Sequence, residues 1–297
     1  MISIFQEFPL QILTYFILVL TFASFWISTD KRVPVVFFSI SILLGLSAGS
    51  IDYIALLSIA IIGGLTYFFY QKKLSPIARV FLFISIFAVT ILIFLHKMPG
   101  FSNWQVYPEI KLSEKSASFP FWLNFDKPLI AFFLLLFAYS PLTKLAEYKD
   151  IIKKSFPFLL GLIVVLFVFG TALQYVVFDP KLPSFDVTFL WAIKMLFFTA
   201  LVEEFFFRFF IQNNVILVFK KFKHGQLIGL LLSSLLFGLF HFSGGISFVF
   251  LAFISGLIYG GVYLKTKRLE SAILVHFVVN FMHFIFFSYP YFVGASS

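Results

Sequence analysis

The chain has no cysteine in its 297 residues, which removes disulfides, thiolate nucleophiles and cysteine–zinc sites together. Charge is nearly as scarce: 12% of residues are Asp, Glu, Lys or Arg, against about 25% in a soluble domain. Three peptidase signatures are also missing: the H-E-x-x-H helix of zinc enzymes, the Gly-Asp pair of aspartyl intramembrane types and the G-x-S-G of rhomboid-like serine types. The start, MISIFQEFPLQ, lacks a cationic stretch and a small-residue cleavage site before the first apolar run. A removable signal peptide is therefore not expected, and residues 10–28 read as a retained helix.

What is present is hydrophobic. Apolar residues make up 61% of the chain and the mean hydropathy is +1.03. No single core hides that much apolar surface, so most of it faces lipid. The 48 phenylalanines suit lipid contact and read as compositional bias rather than as a site. Apolar runs lie at about 10–28, 33–49, 52–70, 78–96, 128–143, 157–178, 187–212, 226–242, 246–264 and 269–289. The expected fold is all-α, a polytopic integral membrane protein with about ten transmembrane helices. The connection 97–127, rich in proline, aromatics and mixed charge, is expected to be an ordered outer loop.

The net charge of +9 would suggest nucleic acid only if the cations were clustered on a soluble face, and they are not. Lysine and arginine number 15 in the alternate loops 30–32, 71–79, 144–154, 220–223 and 265–268, against 5 in the remaining loops and tails. The positive-inside rule then puts those basic loops in the cytoplasm and both termini outside. A membrane bilayer, not nucleic acid, is the expected partner, and the location is integral to a membrane, expected to be a bacterial inner membrane.

Within this apolar background, LVEEFFFRFF (201–210) places two carboxylates and a guanidinium in one span. Each such group costs about 2.5–3.5 kcal/mol at the centre of a membrane helix, so partners are required. Arg208 lies four residues after Glu204, the spacing of a same-face ion pair. Glu203 points about 100° away on an α-helix and is the carboxylate left free for chemistry. His241 ends the run LLSSLLFGLFHF, and His276, Asn280 and His283 share a face of SAILVHFVVNFMHF. His283 is read as structural. Segments before residue 180 carry almost no ionisable residue in their apolar centres, which divides the chain into 1–180, of unassigned role, and 181–297, a core formed by the last four helices.

Glu-Glu-x-x-x-Arg, then Phe237-x-x-x-His241, then His276-x-x-x-Asn280, in that order on three late segments, resemble the CAAX proteases and bacteriocin-processing enzymes. These are intramembrane endopeptidases related to the type II CAAX prenyl endopeptidase. The stretch GLIYGGVYL (256–264) also resembles that family, and the resemblance covers about residues 187–290. It implies that Glu203 and His241 activate the hydrolytic water, that His276 and Asn280 hold the oxyanion, and that Glu204 and Arg208 support them. The implied substrate is a membrane-associated peptide or protein, a prenylated CAAX-type one included, reached at the cytoplasmic face. The family is commonly called metalloprotease. Glu203, His241 and His276 could hold a divalent metal such as zinc or act on water directly, and the metal-free route is favoured because the four side chains already fill the required roles.

Two points test this expectation. At ~1.5 Å per residue, His276 lies about 12 Å from Arg268, Glu203 about 25 Å from Lys220 and His241 about 30 Å from Lys221, so straight helices from one plane would not bring them together. A hairpin protruding into the cytoplasm, or a bend near Gln212–Asn214, is expected, with the site a third to halfway into the bilayer. The competing reading, a proton- or ion-coupled transporter, uses the same residue types, but paired broken helices in two halves are not evident here.

Overall fold

The structure is a computed structural model that describes residues 7–295; the terminal residues 1–6 and 296–297, to which the charge rule assigns an outside location, lie outside the described part. The chain is helical almost throughout, and the protein is an integral membrane protein of all-α class. Helices form over nearly every apolar run expected from the sequence: α1 Pro9–Ile27, α2 Arg32–Ser47, α3 Tyr53–Gln71, α4 Pro76–Phe94, α5 Pro128–Phe137, α6 Leu145–Ala172, α7 Phe185–Val218, α8 Gly225–Leu239, α9 Gly245–Thr266 and α10 Leu269–Phe286. Start signals explain several boundaries. Pro9, Pro76 and Pro128 occupy first-turn positions, where a missing N–H costs nothing. Asp52 caps α3 by accepting from Ile54 N and Ala55 N.

The expected ten spans reduce to seven helices long and apolar enough to cross a bilayer among the described residues. The other three are shorter, with α2 at 16, α5 at 10 and α8 at 15 residues. At ~1.5 Å rise α5 is about 15 Å long, half of a ~30 Å hydrocarbon core. Burial in protein explains how so short an apolar helix is tolerated. Phe132 of α5 stacks on Phe38 of α2 with ring centroids 3.9 Å apart.

The chain forms two compact units, Met1–Tyr107 with Phe121–Thr143, and Pro108–Pro120 with Lys144–Ser297. The first holds α1 to α5. The second holds α6 to α10 and all the intramembrane ionisable residues singled out above. The boundary expected near residue 180 falls inside this second unit. The connection 97–127 contains a two-stranded hairpin, β1 Trp104–Ile110 and β2 Phe119–Leu123.

In the second unit, the segment after α6 and the segment after α10 pair over one end of the bundle. Asp179 N donates to Phe286 O at 2.9 Å, Ser288 N to Val177 O at 3.0 Å and Phe292 N to Tyr175 O at 2.9 Å. Backbone groups leaving two helices are satisfied by each other, which forms a roof of extended chain.

α7 departs from regular geometry. Its 34 residues wind as α from Phe185 to Ile193, π from Lys194 to Ala200, α from Leu201 to Glu204, π from Phe205 to Gln212 and α again from Asn213. π turns, rare and frequent at functional sites, carry more residues per turn than α turns. The wider winding shortens the axial distance from Glu203 to the loop at 220–223. The mismatch calculated for straight α-helices is reduced accordingly, and Gln212 and Asn213 keep ordinary helical dihedrals within the continuous α7.

Candidate functional site

The site is built outward from a buried ion pair. Glu204 and Arg208 are fully buried, and Arg208 Nε donates to Glu204 Oε2 at 3.0 Å. Arg208 Nη1 donates to Ser233 Oγ of α8 at 3.2 Å, and Ser233 Oγ in turn donates to Phe207 O at 2.7 Å. The guanidinium carbon lies 4.9 Å from the ring centroid of Phe237, a cation–π contact in a dry setting. Breaking one side of such a pair strands a charge, at a cost of about 3–5 kcal/mol.

Glu204 has a second partner that its spacing to Arg208 does not reveal. Its Oε1 lies 2.8 Å from His276 Nδ1, across 72 positions of sequence. A carboxylate only accepts, so the His276 proton sits on Nδ1 and Nε2 faces the other way. Tyr259 stacks on the imidazole at 4.5 Å with an interplanar angle of 10°, and Phe237 meets it edge-on at 5.9 Å. Three side chains thus fix one ring.

Glu203 stands on the far side of that ring. Its Oε2 is 3.9 Å from His276 Nε2 and, though buried, has no hydrogen-bond partner among the described residues. The gap is too long for a direct bond and short enough for one water to reach both atoms. An orphaned carboxylate oxygen is costly in an apolar interior, which marks the position as one made to meet something else.

His241 and Asn280 complete the set. His241 Nδ1 donates to Phe237 O at 2.7 Å, leaving Nε2 as its free nitrogen. Its position follows from the turn behind it, where Gly245 at φ +84° and ψ 171° adopts a backbone conformation open only to glycine. Asn280 Nδ2 contacts Met195 Sδ at 3.2 Å, a weak acceptor that leaves the amide free to serve a better one. Glu203, His241, His276 and Asn280 all line one cavity of about 260 Å³. The remaining walls are mostly apolar and aromatic, Phe237, Phe248, Tyr175 and Tyr289 among them. Burial pushes the Tyr175 and Tyr289 phenols above their ordinary pKa, so those walls are neutral.

The four residues expected to carry the chemistry therefore meet around one space, and Glu204 and Arg208 lie directly beneath it. Sequence reasoning missed Ser233, Met195 and the stacking role of Tyr259. A serine in an apolar run and a tyrosine in a small-residue stretch were the only signals, and neither names its partner. His283, read as structural, does bond Ser288 O through Nε2 at 3.1 Å, and it also reaches the cavity wall.

The cavity walls come from Ile163–Gly170 of α6, the first half of α7, the end of α8, residues 248–259 of α9 and 276–283 of α10, together with the roof. These parts lie away from the loops 144–154, 220–223 and 265–268. The other end is closed by packing. Gln212 Nε2 donates to Gly260 O at 3.2 Å, and a Cβ on Gly260 would sit 2.4 Å from Leu230 Cδ1.

Glu203, His241 and His276 are the side chains that could hold a divalent metal. Among the described residues no group of three His, Cys, Asp or Glu side chains is arranged to hold one. His276 Nδ1 and Glu204 are committed to each other, and Glu203 Oε2 and His276 Nε2 sit side by side at 3.9 Å. The donor atoms left on the cavity wall are Glu203 Oε2, His276 Nε2 and His241 Nε2.

Residues 185–282 match the family model described as type II CAAX prenyl endopeptidase Rce1-like. No curated protein and no solved structure matches the chain.

Proposed function

From the match of residues 185–282 to the type II CAAX prenyl endopeptidase Rce1-like family model, we propose that this membrane protein is an endopeptidase that hydrolyses a peptide bond of a membrane-associated substrate with a water activated by Glu203. The observation that carries the reading is the unpartnered Glu203 Oε2, 3.9 Å from His276 Nε2 on the wall of an otherwise apolar cavity.

Mechanism follows from the atoms. Glu203 takes a proton from the water as its oxygen attacks the scissile carbonyl. The carbonyl becomes an oxyanion that needs donors placed in advance, each worth about 2.7–4 kcal/mol. Asn280 supplies an amide N–H. His276, when protonated, supplies Nε2–H while Glu204 holds Nδ1–H and balances the charge. The tetrahedral intermediate then breaks its C–N bond, and Glu203 returns the proton to the leaving amine. His241, with Nε2 free, assists water activation. Arg208 and Ser233 act through Glu204 as positioning residues. The region 181–297 carries the chemistry, with α6 completing the wall, and the substrate includes lipid-modified CAAX-type peptides as one class.

Purified protein in lipid vesicles tests this against ion transport. Cleavage of an apolar peptide reporter without ion flux is expected, whereas flux without cleavage would overturn it. Glu203→Gln and His276→Ala are expected to insert normally and lose cleavage.

A further inference from the structure

Two polar side chains on the cavity wall have no part in the mechanism above. Thr199 of α7 and His283 of α10 line the same space as Glu203, His276 and Asn280, and both are only partly covered by protein. Thr199 departs from the habit of its residue type in this chain. A threonine hydroxyl in an apolar helix is commonly taken up by the carbonyl four residues back. Thr14, Thr21, Thr66, Thr90 and Thr171 do this, donating to the carbonyls of Leu10, Ile17, Ile62, Ile86 and Phe167 at 2.7–3.0 Å. Thr199 lies in the π turn Lys194–Ala200, where the four-residue register is lost, and its Oγ1 has no partner among the described residues.

His283 is half committed. Its Nε2 donates to Ser288 O at 3.1 Å, so the proton sits there, and Nδ1 is an acceptor without a partner among the described residues. The histidines that pair with carboxylates are His96 and His276, so no such neighbour holds this ring charged. The Tyr289 ring, 5.1 Å away, and the bond to Ser288 fix its orientation.

Glu203 meets His276 at 3.9 Å and Met195 meets Asn280 at 3.2 Å, so α7 and α10 pass in opposite directions along the cavity. Thr199 falls midway in sequence between Met195 and Glu203. His283 lies beyond Asn280, about 10 Å from His276 along the helix at ~1.5 Å per residue. An extended peptide advances about 3.3 Å per residue, so that interval matches about three residues of substrate.

We propose that Thr199 and His283 bind the backbone of an extended substrate segment laid along the seam of α7 and α10. His283 Nδ1 accepts an N–H about three residues from the scissile bond, and Thr199 Oγ1 donates to a carbonyl between that N–H and the bond. This rests on the hydrolase reading for which bond is cut. A helical segment has spent its N–H groups on its own carbonyls and has none for His283. The site therefore takes an unwound segment. Backbone contacts do not read side chains, and the remaining walls are mostly apolar, so the substrate class is an apolar segment without a fixed sequence at these positions.

The test uses the full chain with Glu203→Gln, expected to bind without cutting, in lipid vesicles. It is titrated with a fluorescent apolar peptide and with versions N-methylated at one residue at a time, each lacking one N–H. Methylation at one position is expected to weaken binding about 3–10-fold. Adding His283→Leu is expected to weaken binding of the unmethylated peptide by a similar factor and to abolish the penalty at that position. Thr199→Val removes a hydroxyl that bonds nothing in the protein, so the fold is expected to keep its Tm while binding falls about 3–10-fold; Thr199→Ser restores it. With Glu203 intact, the bond cut, located by mass spectrometry, is expected about three residues from the penalised position. A flat methylation scan, a penalty undiminished by His283→Leu, or Thr199→Val binding as tightly as the parent chain overturns the inference. A His283-dependent penalty with no cleavage when Glu203 is intact would retire the hydrolase reading and leave the backbone site standing.

Discussion

At the scale of single residues, the site separates groups that act from groups that position. In the proposed mechanism Asn280 is one oxyanion donor, so Asn280→Ala is expected to lower kcat by about 10²–10³-fold with little change in KM, as steady-state kinetics would read. Glu204→Gln keeps the size of the side chain but removes the charge that holds His276 Nδ1. Its cleavage is expected to fall by about 10²–10⁴-fold, with a shifted pH profile that a purely structural role would not produce. Arg208→Ala strands Glu204 in an apolar interior and is expected to lose about 3–5 kcal/mol of stability, seen as a lower Tm in detergent. The Glu204–Arg208 pair was legible, because a spacing of four is a property of one helix. The Glu204–His276 bond was not, since its partners lie 72 residues apart and only the packing of α7 on α10 brings them together.

At the scale of elements, α7 governs the site. A chain of phenylalanines and branched residues gives no local sign of π winding, so sequence periodicity reads the helix as α. The structure shows π turns on both sides of the Glu203–Glu204 doublet. These turns seat Arg208 under Phe237 and Glu203 beside His276. Close packing of α7, α8 and α9 then depends on Gly260. A Cβ there would lie 2.5 Å from Gln212 Oε1 as well as 2.4 Å from Leu230 Cδ1. Gly260→Val is expected to cost about 1–3 kcal/mol through overpacking. Thermal unfolding in detergent would show it, and an unchanged Tm would mean that the basic end of the bundle is looser than described. Nearly all the apolar runs were legible as helices, but their lengths were not. Whether a run such as α5 spans the bilayer or stays short depends on neighbours that cover it.

At the scale of the whole molecule, an apolar chain buries a small set of polar groups among helices apolar enough to span a membrane, where each is expensive. The charge asymmetry between loops, readable from sequence, gives only an expected orientation for the second unit. Removal of divalent metal by a chelator is expected to leave cleavage intact, because Glu203, His241, His276 and Asn280 fill the roles that the proposed mechanism requires. The central claim is that Glu203 activates a water that attacks the peptide. Cleavage in heavy-oxygen water, read by mass spectrometry of the new carboxyl terminus under single-turnover conditions, tests it directly. One heavy oxygen per wild-type cleavage and no product from Glu203→Gln is the expected result; labelled product at an undiminished rate from Glu203→Gln would contradict the account.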